Sequence, residues 1–294
     1  MRRKKRPDHD MTVKLLPDKK PVETWGELME LYGRYQPRIK GRLWVFRGQG
    51  SSLWKLETAL ERRIRHHAKA AAMERHELEG TLVREFQRKA HLYPTRLPRD
   101  SELVEWLALM RHHGAPTRLL DWTYSFFVAV YFACENADDE CAVWALDSTW
   151  CRVESEQLLP ELKSKATSPI HACEYARRSR REYNRLSRIL GFSTKALAYP
   201  VNAFYMNERL TIQQGVFIWP GNIAQGFEMN LAALKPAAHD PVQKIRIARG
   251  AVDEILKELH RMNMSRATLY PGLDGFASSL NTRMAFPETL EYRQ

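Results

Sequence analysis

The chain has 294 residues, of which 44% are hydrophobic and 28% charged, as expected for a globular protein with a substantial core. No stretch approaches the roughly 20 apolar residues of a membrane helix, and the basic N-terminus lacks the apolar segment of a secretory signal. These features argue against a membrane-spanning or secreted protein, so a cytoplasmic one is expected, and the net charge of +11 favours an anionic partner.

The charge excess lies in two segments. Residues 1–20 carry eight Lys/Arg against three Asp/Glu, and residues 161–195 carry nine against three. Basic clusters attract polyanions, so RNA or DNA is a candidate partner. The residues predicted to contact nucleic acid are arginines of the second segment: Arg177, Arg178, Arg180, Arg181 and Arg185. A solvated tail and helix face, or a docking site for an acidic protein, are the alternatives.

The predicted elements follow from periodicity and capping signals. Residues 1–20 are predicted to be a disordered basic tail. Helices are predicted at 23–35, 57–92, 101–110, 126–134, 155–195 and 252–262, and strands at 43–47, 119–122, 142–146, 216–219 and 244–247. Because strands and helices mix without strict alternation, the pattern favours an α+β fold. We predict one domain over 21–294, with a basic helical insertion at about 150–205.

Two motifs place charged groups next to residues that should be buried. The first, Trp44 to Gly50, ends a strand with Arg47 and Gly48. An arginine can hold a phosphate or carboxylate through two parallel hydrogen bonds. Glycines let backbone N–H groups approach a ligand closely. The motif therefore predicts an anion-binding residue, whereas a surface arginine in a turn is the alternative.

The second motif runs from His112 to Thr123 and joins a helix end to a strand. Arg118 and Asp121 flank two leucines, so they can pair with each other or with Arg47. An internal salt bridge that fixes the loop is the alternative to ligand binding. Thr123 and Ser125 precede helix 126–134, where a hydroxyl can cap the helix or help to bind an anion at its N-terminus.

A third segment contains Glu208, Gln213 and Gln214 beside a turn, and a fourth, Leu269 to Phe276, is predicted to be a turn. The glutamines offer donors and acceptors for a base or a ribose. The sequence has no GxGxxG after a strand, no P-loop, no HExxH and no GxSxG, which argues against the enzyme classes that use them. The four cysteines form no zinc-ligand spacing, so free thiols and no metal are expected.

The order and spacing of four motifs resemble the FRG domain family, named for its Phe-Arg-Gly motif. These motifs are Phe46 to Gln49, His112 to Thr123, Arg209 with Gln213 to Phe217, and Leu269 to Gly275. The resemblance extends from about residue 23 to 285. FRG domains are more distantly similar to ADP-ribosyltransferases, which implies a split mixed β-sheet core with helical insertions.

That similarity implies an NAD-dependent ADP-ribosyltransferase that modifies a macromolecule, most simply RNA or DNA. A bacterial toxin or anti-phage effector restrained by an acidic antitoxin would use these features. The catalytic candidates are Arg47 and Glu208, with Asp121 in reserve. The residues implied to contact NAD are Arg47, Gly48, Gln49, His113, Arg118, Thr123, Ser125 and Gln214. A non-catalytic nucleotide or nucleic-acid binding module, and a subunit that docks an acidic protein, remain open.

Overall fold

The computed structural model describes residues 20–35, 41–67, 74–93, 96–163 and 180–284. The predicted tail therefore lies outside the described residues except for Lys20. The middle of the predicted basic insertion, including Cys173, Arg177 and Arg178, also lies outside them. Within the described residues, the fold consists of one central sheet and the helices around it.

Six strands form a single sheet in the order β4-β5-β2-β1-β3-β6. The strands are β1 (Trp44–Gln49), β2 (Leu120–Thr123), β3 (Cys141–Asp147), β4 (Ala198–Val201), β5 (Gly215–Pro220) and β6 (Val242–Ile247). All five neighbouring pairs are antiparallel, and an isolated bridge between Val22 and Ile247 is parallel. The α+β class is confirmed. The expectation of a split mixed sheet is wrong in pairing, because the described strands form one antiparallel sheet.

The described residues also form twelve α-helices. They are α1 (Trp25–Tyr32), α2 (Ala59–His66), α3 (Arg75–Ala90), α4 (Leu103–His112), α5 (Phe126–Cys134), α6 (Ser148–Leu158), α7 (Arg180–Phe192), α8 (Glu208–Ile212), α9 (Phe227–Ala232), α10 (Arg249–Arg261), α11 (Arg266–Leu269) and α12 (Leu273–Arg283). Short 3₁₀ helices lie at Gly33–Tyr35 and Pro160–Leu162. None of the helices in the described ranges is long and apolar enough to cross a membrane.

Local capping explains several helix starts. The Ser125 hydroxyl accepts the Val128 N–H and begins α5 at the predicted residue. Thr58 and Glu61 form a capping box that begins α2. The sequence missed β4, which is only four residues long and contains Pro200. Proline is tolerated there because β4 is an edge strand.

The sheet separates two hydrophobic clusters. Alternate residues of one strand belong to different clusters: Val45 packs with Trp144 in one, and Phe46 packs with Val143 in the other. This follows from the two-residue period of a strand. Helices α3, α4, α7 and α9 cover the first cluster, and α1, α5 and α10 cover the second. Residues near the middle of β1 therefore lie between two packed layers.

Three of the cysteines are described, and all are buried free thiols, as predicted. The Cys134 and Cys141 sulfur atoms lie 4.0 Å apart at the adjoining ends of α5 and β3. Cys151 lies in α6 within the first cluster. The described residues contain no group of three or more His, Cys, Asp or Glu side chains that could hold a metal ion.

Candidate functional site

A cavity of about 410 Å³ opens where β1 and β2 diverge. These strands share one registered pair, Phe46 with Thr123, so their backbones separate beyond it. The polar lining comes from both strands, α4, the end of α5, the α8 segment and Tyr270. These polar residues are Arg47, Arg111, His112, Asp121, Thr123, Glu135, Asn136, Asn207, Arg209, Gln213 and Tyr270. The volume lies within the range of small-molecule sites. We call this cavity the cleft.

Arg47 is a cation of the cleft whose charge is poorly compensated. One terminal nitrogen (Nη1) donates to the Asp121 backbone carbonyl at 2.7 Å, whereas the Nε–H is buried and has no partner. None of the carboxylates in the described ranges forms an ion pair with Arg47. Burial lowers its pKa to about 10, and repulsion from Arg111 acts in the same direction, although the Asp121 charge opposes both. Arg47 is therefore a desolvated cation at neutral pH, suited to binding an anion.

A second arginine holds the carboxylate of the cleft. The Nε of Arg111 donates to Oδ2 of Asp121 at 2.7 Å, and a terminal nitrogen (Nη2) lies 2.5 Å from the same oxygen. Burial works against the charge on Arg111, but attraction to Asp121 outweighs it and raises the arginine pKa. Both contacts fall on one carboxylate oxygen. The Asp121 side chain is 40% exposed, which leaves its other oxygen accessible to a ligand.

Two more arginines flank an aromatic ring at the mouth of the cleft. The guanidinium carbon of Arg209 lies 4.3 Å from the Tyr270 ring centroid, and that of Arg266 lies 4.5 Å from it. Arg266 also pairs with Glu135 at the end of α5. Arg209 forms no ion pair within the described part of the chain. Its charge therefore adds to that of Arg47 as an attraction for anions.

A second cavity of about 430 Å³ adjoins the cleft. His112, Asn207, Arg209 and Tyr270 line both cavities. The two spaces can therefore accept one ligand with two linked halves, with Arg47 in the first and the Arg209–Tyr270 pair at the boundary. The lining beyond the boundary includes the acidic residues Glu208 and Asp274, and Gly275 in the first turn of α12.

The family comparison matches residues 42–142, the segment that contains both leading motifs. This segment of the chain is similar to the FRG domain. The matched segment begins just before β1 and ends within β3, so it supplies Arg47, Arg111 and Asp121. Arg209 and Tyr270 come from outside it, and the cleft is completed by the C-terminal part of the chain. No curated protein and no solved structure matches the chain.

The FRG motif glycine has a packing role. A Cβ atom on Gly48 would lie 2.0 Å from the Ala129 carbonyl oxygen and 2.5 Å from the Ala133 nitrogen, both in the α5 backbone. Glycine is needed because α5 crosses β1 at this point. Gly48 lines the cleft, but the space that its side chain would need is occupied by the α5 backbone. Helix packing therefore accounts for the glycine, and its contact with a ligand stays a prediction.

The side chain of Gln49, the residue after Gly48, is hydrogen-bonded inside the protein. Its side-chain nitrogen donates to the Lys55 carbonyl at 3.0 Å, and its side-chain oxygen accepts the Trp144 indole N–H at 2.7 Å. The Gln49 side chain is buried, and Gln49 does not line the cleft. It holds the loop after β1 against β3, so the predicted NAD contact is not supported at this position.

Arg118 is also structural, although it was predicted to contact NAD. It is 2% exposed, and it forms a bidentate ion pair with Glu79 of α3. Its guanidinium carbon also lies 4.9 Å from the Trp219 ring centroid. Neither Asp121 nor Arg47 is its partner. The alternative of an internal salt bridge was therefore the correct one, because the segment before β2 places Arg118 beside Glu79 and Trp219 and not at the cleft.

Two further predicted contacts are displaced by one residue, and a third predicted residue, Thr123, itself lines the cleft. His113 is exposed outside the cleft, whereas His112 lines it. Gln213 lines the cleft, whereas Gln214 adopts a positive φ of 49° in the turn before β5. Thr123 lines the cleft and donates to the Gln213 carbonyl at 2.6 Å. These shifts arise because a helix end and a tight turn determine which neighbour points inward.

Ser125 caps α5 and does not line the cleft. The residues of α5 that do line it, Phe132 and Glu135, lie at the opposite end of the helix or just beyond it. The predicted anion site at the N-terminus of α5 is therefore misplaced. Helix α5 runs back across β1 and brings its C-terminal end to the cleft.

The predicted catalytic glutamate lies outside the cleft. Glu208 is an exposed residue in the first turn of α8, which Asn207 caps. It lines the second cavity and not the first. The sequence placed Glu208 beside a turn, whereas the structure places it at the start of the five-residue helix α8. Asp121 lines the cleft, so the reserve candidate is better placed than Glu208.

Two arginines of helix α7 are engaged in contacts within the protein. Arg180 pairs with Glu102 at 2.6 Å, and Arg185 donates to the carbonyls of Glu161 and Lys163. Arg181 is exposed and available to a partner. Fewer of the predicted arginines on α7 are therefore free to contact a nucleic acid than the sequence suggests. Arg177 and Arg178 lie outside the described residues.

Several cleft residues were missed by the sequence analysis. Arg111 directly precedes the two histidines of the second motif, and it could have been found as the last-turn arginine of α4. Tyr270 lies in the segment that was treated only as a turn. Glu135 and Asn136 have no sequence signal that links them to the cleft, because only the crossing of α5 brings them there.

Proposed function

We propose that the cleft binds NAD and that the protein transfers ADP-ribose from NAD to a nucleic acid. The observation that carries this proposal is Arg47, a half-buried cation that lines the cleft, forms no ion pair with a described carboxylate and has a buried Nε–H without a partner. A cation that is partly removed from water without a carboxylate partner lowers the stability of the ligand-free protein. Two phosphate groups, with a nucleoside on each side, would suit the two adjoining cavities.

In this proposal Arg47 and Arg209 bind the pyrophosphate, and the second cavity takes one of the two nucleosides. The bond between the ribose C1′ and nicotinamide breaks, and its electron pair leaves with nicotinamide. The accessible oxygen of Asp121 stabilises the positive charge that develops on the ribose. An acceptor oxygen or nitrogen then bonds to C1′ and loses its proton. Arg111 holds the Asp121 carboxylate in its orientation during these steps.

The likeness to an ADP-ribosyltransferase fold is part of the same proposal. It is supported by the position of Arg47-Gly48 on β1, next to the point where β2 separates from it. It is also supported by Thr123 at the end of β2 before α5. The positive net charge favours a nucleic acid as the acceptor. A toxin or anti-phage role, and an acidic inhibitor, stay predictions from the family resemblance.

A non-catalytic nucleotide-binding module is the second candidate. It is favoured by the state of the carboxylates: Glu208 lies outside the cleft, Glu135 pairs with Arg266, and Asp121 pairs with Arg111. A transferase whose carboxylates are all engaged or displaced would stabilise the ribosyl cation weakly. The two candidates share the ligand site and differ only in turnover.

The test uses NAD labelled in its adenylate phosphate, incubated with the full-length protein and total cell extract. RNA, DNA and protein fractions are then counted separately. We expect label in a nucleic-acid fraction with the wild-type protein and none with Arg47→Met. Exposed Arg63 on α2 supplies the matched control, Arg63→Ala, which should label normally. ADP-ribose binding without label in any fraction would support the non-catalytic module, and no binding would refute both candidates.

The pH dependence of ligand binding tests the role of His112. Burial, together with the neighbouring His113 and Arg209, lowers the His112 pKa, so its imidazole is neutral at pH 7. As the pH falls through that lowered pKa, His112 gains a positive charge in the wall of both cavities. We expect ADP-ribose, whose charge is constant over this range, to bind about fivefold more tightly in acid, a gain of about 1 kcal/mol.

Isothermal titration calorimetry between pH 7.5 and about pH 5 measures this effect. The His112→Gln variant should lose the acid enhancement, whereas His113→Gln should keep it, because His113 is exposed outside the cleft. An unchanged pH profile in His112→Gln would show that another group controls the dependence.

A further inference from the structure

A short exposed aromatic segment lies beside the cleft and has no role in the site described above. Phe204, Tyr205 and Met206 are 38%, 37% and 46% exposed, and their rings and side chain face solvent together. The next residue, Asn207, lines both cavities. The Phe204 and Tyr205 ring centroids lie 5.0 Å apart in an edge-to-face arrangement. The segment therefore forms an exposed aromatic surface that leads directly into the cleft.

A buried carboxylate holds this segment in place. Glu105 of α4 is buried, and its two oxygens accept the backbone N–H groups of Phe204 at 2.7 Å and of Tyr205 at 3.2 Å. It also accepts the Tyr183 hydroxyl at 2.6 Å. Burial raises the Glu105 pKa, while these three hydrogen bonds favour its charged form. Because the backbone of these exposed aromatic residues is already held in place, the protein loses less conformational entropy when a ligand binds there.

Arginines flank the rings. The guanidinium carbon of Arg96 lies 4.5 Å from the Tyr205 ring centroid, and that of Arg180 lies 5.3 Å from it. Arg180 is paired with Glu102, whereas exposed Arg96 forms no ion pair with a described carboxylate. A free guanidinium plane on an aromatic ring offers both a stacking surface and a positive charge. Exposed Arg181 and Arg188 on α7 extend the positive surface from Arg180.

Aromatic rings interleaved with arginines are the surface that unpaired bases recognise, because every base has a face that stacks and every phosphate needs a cation. A duplex hides those faces within its own stack. An acidic protein would use the arginines but would leave the rings without a specific partner. The combination therefore favours a single strand over both alternatives.

We propose that Phe204, Tyr205 and Arg96 form a stacking platform that holds an unpaired base of a single-stranded nucleic acid beside the cleft. This inference rests on the proposed function, because it supplies the surface that holds the acceptor. Asn207 connects the platform to the cleft, so a strand stacked on Tyr205 would place a neighbouring nucleotide at the NAD ribose.

The test is fluorescence anisotropy of a labelled short single-stranded RNA of mixed sequence with the full-length protein. Tyr205→Ala is expected to weaken binding roughly 5- to 150-fold, the usual loss for one stacked base. Its salt dependence should be unchanged, because no charge is removed. Arg96→Lys should also weaken binding, since lysine keeps the charge but has no planar group to stack. Phe192→Ala, at the far end of α7 and 86% exposed, is the control and should bind normally.

ADP-ribose binding separates this inference from the proposed function. Tyr205 lines neither cavity, so Tyr205→Ala should bind ADP-ribose as the wild type does. Loss of RNA affinity with ADP-ribose affinity retained supports the platform, whether or not NAD is turned over. The platform is refuted if wild-type protein does not bind the strand, if Tyr205→Ala binds it normally, or if the matching duplex competes equally well.

Discussion

Arg47→Met is expected to lose ADP-ribose binding while folding at least as stably as the wild-type protein. The charge-assisted hydrogen bonds of an arginine to a phosphate contribute about 1.5–3 kcal/mol each, so affinity should fall at least about tenfold. The free energy of unfolding should stay the same or rise by up to about 2 kcal/mol, because methionine removes a desolvated charge that has no carboxylate partner. If Arg47 lowers the stability of the protein and is required for ADP-ribose binding, its role is functional and not structural.

Urea unfolding and calorimetric titration with ADP-ribose measure the two quantities on the same samples. Arg118→Met is the comparison, since each arginine has a buried guanidinium nitrogen without a partner but only Arg118 has a carboxylate partner. That variant should be destabilised, because it leaves Glu79 buried without its cation. If Arg47→Met were as destabilised as Arg118→Met, Arg47 would be a structural residue and the proposed anion site would lose its main support.

Glu79→Gln is expected to lower the free energy of unfolding by about 3–5 kcal/mol, the usual cost of breaking a buried ion pair from one side. Glu79 and Arg118 are almost completely buried, and the carboxylate accepts two 2.8 Å hydrogen bonds from the Arg118 Nε–H. Glutamine keeps the shape of the side chain but leaves the guanidinium charge uncompensated inside the first hydrophobic cluster. The pair joins α3 to the segment before β2, so its loss should also loosen the strand that carries Asp121.

The control for this effect is Glu85→Gln on the same helix. Glu85 pairs with Arg88 and Lys89 at the surface, so its replacement should leave the urea midpoint nearly unchanged. The double variant Glu79→Leu with Arg118→Met removes both charges together and should recover most of the lost stability. A double variant as unstable as Glu79→Gln would show that packing around Arg118, rather than charge pairing, explains the loss.

The sequence identified the segments of the site more reliably than the individual contacts. The two leading motifs both reach the cleft, and helix 126–134 begins and ends at the predicted residues. Within the second motif, however, Asp121 faces the cleft and Arg118 faces the core, although only two residues separate them. A motif match cannot distinguish these roles, because either arginine is compatible with an anion or with a buried carboxylate. Glu79, which decides the matter, is 39 residues away in the sequence.

The sequence by itself determined the α+β class, the strands and helix that carry the two leading motifs, and the similarity of residues 42–142 to the FRG domain, because these depend on local periodicity and on residues close together in the chain. Only the tertiary structure decided what Arg47 and Gly48 do. The passage of α5 over β1 makes glycine necessary at position 48, and the divergence of β2 from β1 leaves the Arg47 guanidinium at the cleft without a carboxylate. Both outcomes depend on contacts between elements about 75 residues apart in the chain, where burial and pairing are set by the fold and not by local sequence.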